Sequence, residues 1–240
     1  MFTENVVFLG FFAINLLNTR TIFVYMYPKT RRYVPCLKNY FHDIQQRDIE
    51  HLTHGAKMSF NQLDKPQAGE TIAIMKTNHG TMKLRLFEEL VGECATNFIE
   101  LAKQGKYDGA PFHRIIKDFM IQGGDFTRRN GTGGHAAQGP GSTIGDKYDS
   151  RLTQMRGALS WAKTAMPHSI GSQFFIVHGN NVHFLDHDQC GPGPADGYSV
   201  FGQLYEGFDV LDEIAGVQTD RMDRPYDDVI IESVTIEKAI

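Results

Sequence analysis

Short alternating apolar runs, cut every few positions by glycine-rich loops, limit most strongly how this chain can fold. Residues 71–76 alternate, Asn78-His79-Gly80 is a turn, and residues 81–87 alternate again. This is a β-hairpin signature, with period two on both sides of a tight turn. Further strand-like segments lie at 112–116, 119–122, 158–163, 173–177, 199–201 and 229–236. Helical spacing is confined to two stretches. In residues 94–104, Ala95, Phe98, Ile99, Leu101 and Ala102 return to one face before Gly105 stops the helix; the second runs from Phe208 to Ala215 and ends at Gly216. Many short strands with two helices predict a mainly β fold and a closed antiparallel barrel, because closure removes the exposed edges such strands would leave.

An apolar share of 41% with 22% charged residues excludes a wholly disordered or collagen-like chain. At 240 residues the length suits one well-cored domain with an appendage. The polar, turn-forming stretch 64–70 marks the boundary, which predicts an N-terminal extension over residues 1–64 and a folded domain over 65–240. Residues 1–57 hold seven Lys/Arg and four Asp/Glu, so of the net charge of −4 the leader carries +3 and the remainder −7. An acidic body without a basic, aromatic-interleaved stripe gives no footprint for nucleic acid. Three cysteines at unrelated spacings, Cys36, Cys94 and Cys190, spell neither a disulfide framework nor a CxxC metal site, and a reducing, cytoplasmic setting is expected.

The leader carries two apolar runs, 6–17 and 21–27, interrupted by Arg20. The first is too short to span a bilayer, and Glu4 stands where a signal peptide carries positive charge. A membrane association is not expected; the alternative is a single anchor over residues 6–27 with Lys29, Arg31 and Arg32 on the cytoplasmic side. Met58 would make a natural start for a cytoplasmic form, and residues 1–57 are then expected to come from translation of upstream sequence.

The most informative stretch for chemistry is 112–126, Phe-His-Arg-Ile-Ile-Lys-Asp-Phe-Met-Ile-Gln-Gly-Gly-Asp-Phe. Alternation puts Phe112, Arg114 and Ile116 on one strand face, and a two-residue turn folds Phe119, Met120 and Gln122 alongside. A guanidinium, an amide, a ring and a thioether would then share a shallow, mostly apolar pocket with a few convergent donors. A Phe or Met beside a strand is more often core than pocket, but an arginine at an apolar strand position is harder to dismiss, since charges are almost never buried unpaired. His113 alternates to the other face and reads as structural.

At these residues the chain resembles the cyclophilin family of peptidyl-prolyl cis-trans isomerases. Residues 112–126 follow the family signature. Asn130-Gly131-Thr132-Gly133-Gly134 follows its glycine loop, and Leu159-Ser160-Trp161-Ala162-Lys163, Gly171-Ser172-Gln173-Phe174-Phe175-Ile176, Phe184-Leu185-Asp186 and Tyr198-Ser199-Val200-Phe201-Gly202 follow later strands and loops. The likeness covers residues 70–240. It implies an eight-stranded barrel capped by two α-helices, with a proline-binding groove on its outer surface. By motif position Arg114 is the catalytic arginine, working with Gln122, which would bond the substrate backbone, and with Phe119. Phe119, Met120, Phe175 and Leu185 would hold the proline ring, with Ala162, Lys163, Gln173, Phe184 and Tyr198 lining the rest of the groove. The expected activity is rotation about X-Pro bonds of peptides and unfolded proteins, assisting folding as a monomer without cofactor or metal. The alternative is a non-catalytic proline-peptide binding module, against which the retention of Arg114, Phe119, Gln122 and Phe175 counts.

The departures follow a bacterial pattern. Phe184 stands where eukaryotic cytosolic members carry Trp, and Tyr198 where they carry His. The resemblance brings in cyclosporin as a groove ligand, with affinity expected to be weakened because Phe184 lacks an indole N–H. The loop 164–170 is one residue longer than in those members, with His168 where an Asn is usual, and residues 191–196 belong to an insertion the family pattern does not predict. Beside it His183, Asp186, His187, Asp188 and Cys190 match no structural zinc spacing, and a solvated polar loop is expected there.

Overall fold

A computed structural model describes residues 60–180, 182–187 and 197–240. The apolar runs at 6–17 and 21–27, Cys36, Asp188, Cys190 and the insertion at 191–196 therefore lie outside the described residues. Among the described residues, eight strands and three α-helices follow in the order β1 (Thr71–Thr77), β2 (Gly80–Leu86), α1 (Glu88–Val91), α2 (Glu93–Lys103), β3 (Arg114–Ile116), β4 (Met120–Gly123), β5 (Ala158–Trp161), β6 (Phe174–Val177), β7 (Val200–Glu206), α3 (Phe208–Ala215) and β8 (Ile231–Lys238). A single 3-10 turn, His183–Leu185, precedes β7.

All strand pairs are antiparallel, in the order β3-β4-β6-β5-β7-β2-β1-β8. This corrects the expected closed barrel: among the described residues the edge strands β3 and β8 share no ladder, and the sheet is a half-barrel. The physical reason lies at the seam. β3 is three residues long, and it follows Pro111, which has no N–H to give a ladder. The edge is instead crossed by an isolated bridge, Pro111 to Ile230, and by single bonds such as Phe112 N–H to the Val229 carbonyl at 2.8 Å. The helix count also differs from the expected two, because α1 is a four-residue turn too short to show a period.

The helices pack where their apolar faces dictate. Along α2, Cys94, Ala95, Phe98, Ile99, Leu101 and Ala102 are buried. Phe98 stacks on Tyr107 at 5.0 Å between centroids and meets Phe174 edge-on at 5.5 Å. Trp161 is fully buried, stacks on Phe201 at 4.5 Å, and satisfies its indole N–H at the Cys94 carbonyl, 3.1 Å away. Each fully buried ring of this kind contributes about 2–3 kcal/mol. Burial pushes the Cys94 thiol up to about 11, so the thiol is a small core group rather than a nucleophile.

The residues just before β1 belong to this body. Phe60 meets Phe87 edge-on at 5.4 Å, and the buried Gln62 amide donates to the Thr153 carbonyl at 3.0 Å and to Gln203 at 2.9 Å. Among the described residues no helix is long and apolar enough to cross a membrane.

Candidate functional site

The site grows out of strand register. In an antiparallel ladder, residues opposite each other point to the same face. Arg114 on β3 pairs with Gln122 on β4, and Gln122 pairs with Phe175 on β6, so guanidinium, amide and ring lie in one row across three strands. Met120, two residues before Gln122, sits on the same face in the next row, opposite Ile116 and Val177. Phe112 does not join them. The strand begins only at Arg114, and Phe112 turns into the core against Phe174 at 6.1 Å.

These residues surround a cavity of about 190 Å³ lined by Arg114, Phe119, Met120, Gln122, Ala162, Lys163, Phe175, Leu185 and Tyr198. That is below the 300–1,000 Å³ usual for drug-sized ligands and suits a single small ring. Met120 and Phe175 are nearly fully buried and form an apolar floor. Leu185 arrives on the 3-10 turn, and Tyr198, whose N–H bonds the Leu185 carbonyl at 3.0 Å, meets Phe175 edge-on at 5.6 Å. Two residues predicted for the groove stand outside this cavity. Phe184 is half exposed and stacks on Phe119 at 5.9 Å, which places it at the rim. Gln173 lines a neighbouring cavity of about 330 Å³ together with Gln122, Ala162, Lys163 and the loop 131–134.

Gln173 also orients Gln122. Its Oε1 accepts from Gln122 Nε2 at 3.0 Å, and its own amide donates to the Gly131 and Gly133 carbonyls at 2.9 and 2.8 Å. The glycine loop is held in turn by the fully buried Asp125. Burial alone would push that carboxyl up, but N–H bonds from Arg128, Asn130, Gly133 and Gly131 outweigh it and hold it at about 2. Gly133 must be glycine here, since a Cβ would collide with Thr127 Oγ1 and the Asp125 carboxylate. Sequence reasoning did not single out Asp125, although it stands inside the signature stretch ahead of a Gly-rich turn whose amides need an acceptor.

The charged groups differ in how far they are engaged. The Lys163 ammonium is buried and bonded to Asp146 at 2.8 Å and to the Tyr148 hydroxyl at 3.1 Å. Arg114 gives Nε to Asp223 at 3.3 Å, and among the described residues no protein group accepts from its two terminal nitrogens. His113 is buried with neither ring nitrogen bonded, and burial pushes its pKa down, so it is a neutral packing group beneath the glycine loop. In the polar loop, His183 Nδ1 lies 2.9 Å from Asp186, whose other oxygen accepts the Gln154 N–H at 2.5 Å.

Comparison with known proteins covers the same part of the chain. The family model described as cyclophilin type peptidyl-prolyl cis-trans isomerase/CLD matches residues 72–236. A protein of Staphylococcus aureus strain USA300, provisionally named a peptidyl-prolyl cis-trans isomerase, is 37% identical over 75% of this chain and 99% of its own length. A Streptococcus pyogenes protein, provisionally named a bifunctional phosphatase/peptidyl-prolyl cis-trans isomerase, is 40% identical over 75% of this chain; the match spans only 42% of that longer protein. Among solved structures, a Cryptosporidium parvum cyclophilin type peptidyl-prolyl cis-trans isomerase superposes with a TM-score of 0.61 at 31% identity, over 72% of this chain and 99% of its own. The same protein was also solved in the presence of the dipeptide Ala-Pro, with a TM-score of 0.60 at 32% identity, over 70% of this chain and 99% of its own. The chain therefore belongs to the cyclophilin type peptidyl-prolyl cis-trans isomerase family.

Proposed function

We propose that the 190 Å³ cavity binds the proline ring of an X-Pro peptide and that Arg114 catalyses rotation about its imide bond. The planar amide resists rotation by about 18–20 kcal/mol because resonance makes the C–N bond partly double. Uncatalysed exchange takes tens to hundreds of seconds, so turnover in milliseconds needs roughly 10⁵-fold acceleration, about 7 kcal/mol. In the twisted state the nitrogen becomes pyramidal and regains a lone pair. A donor aimed at it stabilises that state more than either planar isomer. Arg114 suits the role because its charge is permanent and its terminal N–H groups have no protein acceptor among the described residues. One preorganised donor accounts for about 3–4 kcal/mol. The remainder falls to the apolar floor of Met120 and Phe175, which with Phe119 and Leu185 clamps the ring while the acyl side turns, and to Gln122, held by Gln173 toward the substrate backbone.

The observation that carries this reading is the row Arg114, Gln122, Phe175 across β3, β4 and β6. The Ala-Pro dipeptide used with the Cryptosporidium protein supports a proline-containing substrate for this chain as well. The wider substrates are taken to be exposed X-Pro bonds in peptides and unfolded chains. The catalytic domain is taken to be residues 65–240 in a cytoplasmic setting, and cyclosporin is taken as a weakened ligand of the groove. The test is Arg114→Ala in a protease-coupled isomerisation assay: kcat/KM should fall by about 10²- to 10³-fold with the melting temperature retained. An unchanged rate would sink the mechanism, and peptide binding without turnover in the wild type would favour a non-catalytic binding module.

A further inference from the structure

β3 is an edge strand, and its open side is met by the loop between α3 and β8, where Ile115 N–H donates to the Asp223 carbonyl at 2.8 Å. That loop is tied together on Asp220. The Asp220 N–H donates to the Arg224 carbonyl at 2.8 Å, its carbonyl accepts the Asp223 N–H at 3.1 Å, and its carboxylate accepts the N–H groups of Met222 at 2.8 Å and Arg224 at 3.0 Å. The ring of bonds holds Asp223 at φ 63°, in the left-handed region that few residues other than glycine, asparagine and aspartate adopt. The consequence is a carboxylate oxygen 3.3 Å from Arg114 Nε.

Both partners are about 40% exposed, 43% for Arg114 and 40% for Asp223, and exposed pairs of this kind add little to stability. The value of the contact lies in orientation. A guanidinium is a rigid planar fork, so fixing Nε sets the direction of both terminal nitrogens. Asp223 is not among the residues lining the cavity, so its carboxylate acts on the cavity through Arg114, while its carbonyl braces the β3 backbone at Ile115.

We propose that Asp223 is a positioning residue for the isomerisation, holding the Arg114 guanidinium so that its terminal N–H groups meet the twisted imide. The inference rests on the reading of Arg114 as the transition-state donor. A donor misdirected by about 1 Å can cost up to 10²-fold in rate, and about tenfold is expected here because the long side chain still samples the productive direction.

Two variants separate the carboxylate from the backbone it sits on. Asp223→Gly keeps the left-handed conformation and removes the oxygen; Asp223→Asn keeps both the conformation and an oxygen acceptor for Nε. Asp223→Gly should lower kcat about tenfold with KM little changed, and Asp223→Asn should restore most of the loss, both with wild-type circular dichroism. In an Arg114→Ala background Asp223→Gly should have no further effect, because the side chain through which the carboxylate acts is gone while the backbone bond to Ile115 is kept. A wild-type kcat in Asp223→Gly overturns the proposal, and so does an equal tenfold loss in the Arg114→Ala background, which would assign the effect to the loop. Full activity in Arg114→Ala alone overturns the reading of Arg114 itself, a separate and recognisable failure.

Discussion

Arg85 and Arg114 both occupy alternating positions among apolar residues, one on β2 and one on the edge strand β3, and the fold treats them in opposite ways. The Arg85 side chain is 7% exposed, with Nε and Nη2 each 2.7 Å from a Glu70 oxygen and Nη1 donating to the Asn61 and Asp64 carbonyls at 3.1 and 3.3 Å. Its guanidinium lies against both the Phe60 and Phe87 rings, 5.2 and 5.4 Å from their centroids. Every nitrogen is engaged, and the result is a clasp that holds residues 60–64 to the body. Arg114 has one nitrogen engaged and two without an acceptor among the described residues. A cation whose bonds are all satisfied internally stabilises the fold; one held by a single contact remains available to a reacting group.

The largest effect that can break this comparison is reciprocal to the loss of activity expected for Arg114→Ala. Arg85→Ala takes a charged donor from the Glu70 carboxylate and from two backbone carbonyls, and removes the guanidinium packed against the Phe60 and Phe87 rings. The expected cost is about 3 kcal/mol of unfolding free energy, the low end for a buried pair because Glu70 retains 32% side-chain exposure. Activity per folded molecule should be that of the wild type. Urea unfolding followed by tryptophan fluorescence, with kcat/KM measured on the same preparation, checks both halves. An activity loss out of proportion to the folded fraction would mean that Arg85 is not merely structural.

A smaller effect sharpens the comparison on the Arg114 side, where polar order depends on Asp125. Its carboxyl is held at about 2 by four loop N–H bonds acting against burial, below its ordinary value of 3.8. A carboxyl depressed in the folded state contributes stability that is fully present above its unfolded pKa and is lost as the pH falls through its folded one. The contribution is about 2 kcal/mol, and it should disappear between about pH 4 and pH 2. Protonation also loosens the loop whose carbonyls hold Gln173, and through it Gln122. Denaturant unfolding of wild type and Asp125→Asn from about pH 5 downward should show curves that converge on acidification. Parallel curves would remove Asp125 from the support of the site.

The two arginines also measure how much was legible in the sequence. Alternation singled out Arg114 as an unusual charge among apolar neighbours, but Lys83-Leu84-Arg85-Leu86 satisfies the same criterion, and only the motif around Arg114 distinguished them. What separates them physically is the set of acceptors each meets, and these come from residues 61–70 in one case and 223 in the other. The hairpin, α2, α3 and the pairing of 114–116 with 120–122 were readable because period and turn chemistry are local. The open edge was not, because it depends on Pro111 meeting Ile230, a contact between distant segments. Asp223 was invisible for a related reason: in sequence it is one acid in a polar loop, and its importance lies in a left-handed backbone and a long-range contact.

The smallest effect tests the opposite wall of the groove, which presents a ring without a donor. Phe184 stacks on Phe119 with an interplanar angle of 21° and is 58% exposed, so a substitution there reaches the rim without disturbing the floor. In family members with Trp at this position, the resemblance implies that the indole N–H bonds a cyclosporin carbonyl. Phe184→Trp adds that donor while keeping the apolar contact. One such bond is worth about 0.5–1.5 kcal/mol, so cyclosporin should bind about tenfold more tightly. Peptide turnover should change far less, because the apolar floor of Met120 and Phe175 and the Arg114 guanidinium, to which the proposal assigns ring binding and catalysis, are untouched. Titrating both proteins with the drug while following kcat/KM separates the two effects. Unchanged affinity would place Phe184 beyond the drug's reach, whereas a matching rise in kcat/KM would mean that the rim takes part in binding the substrate proline itself.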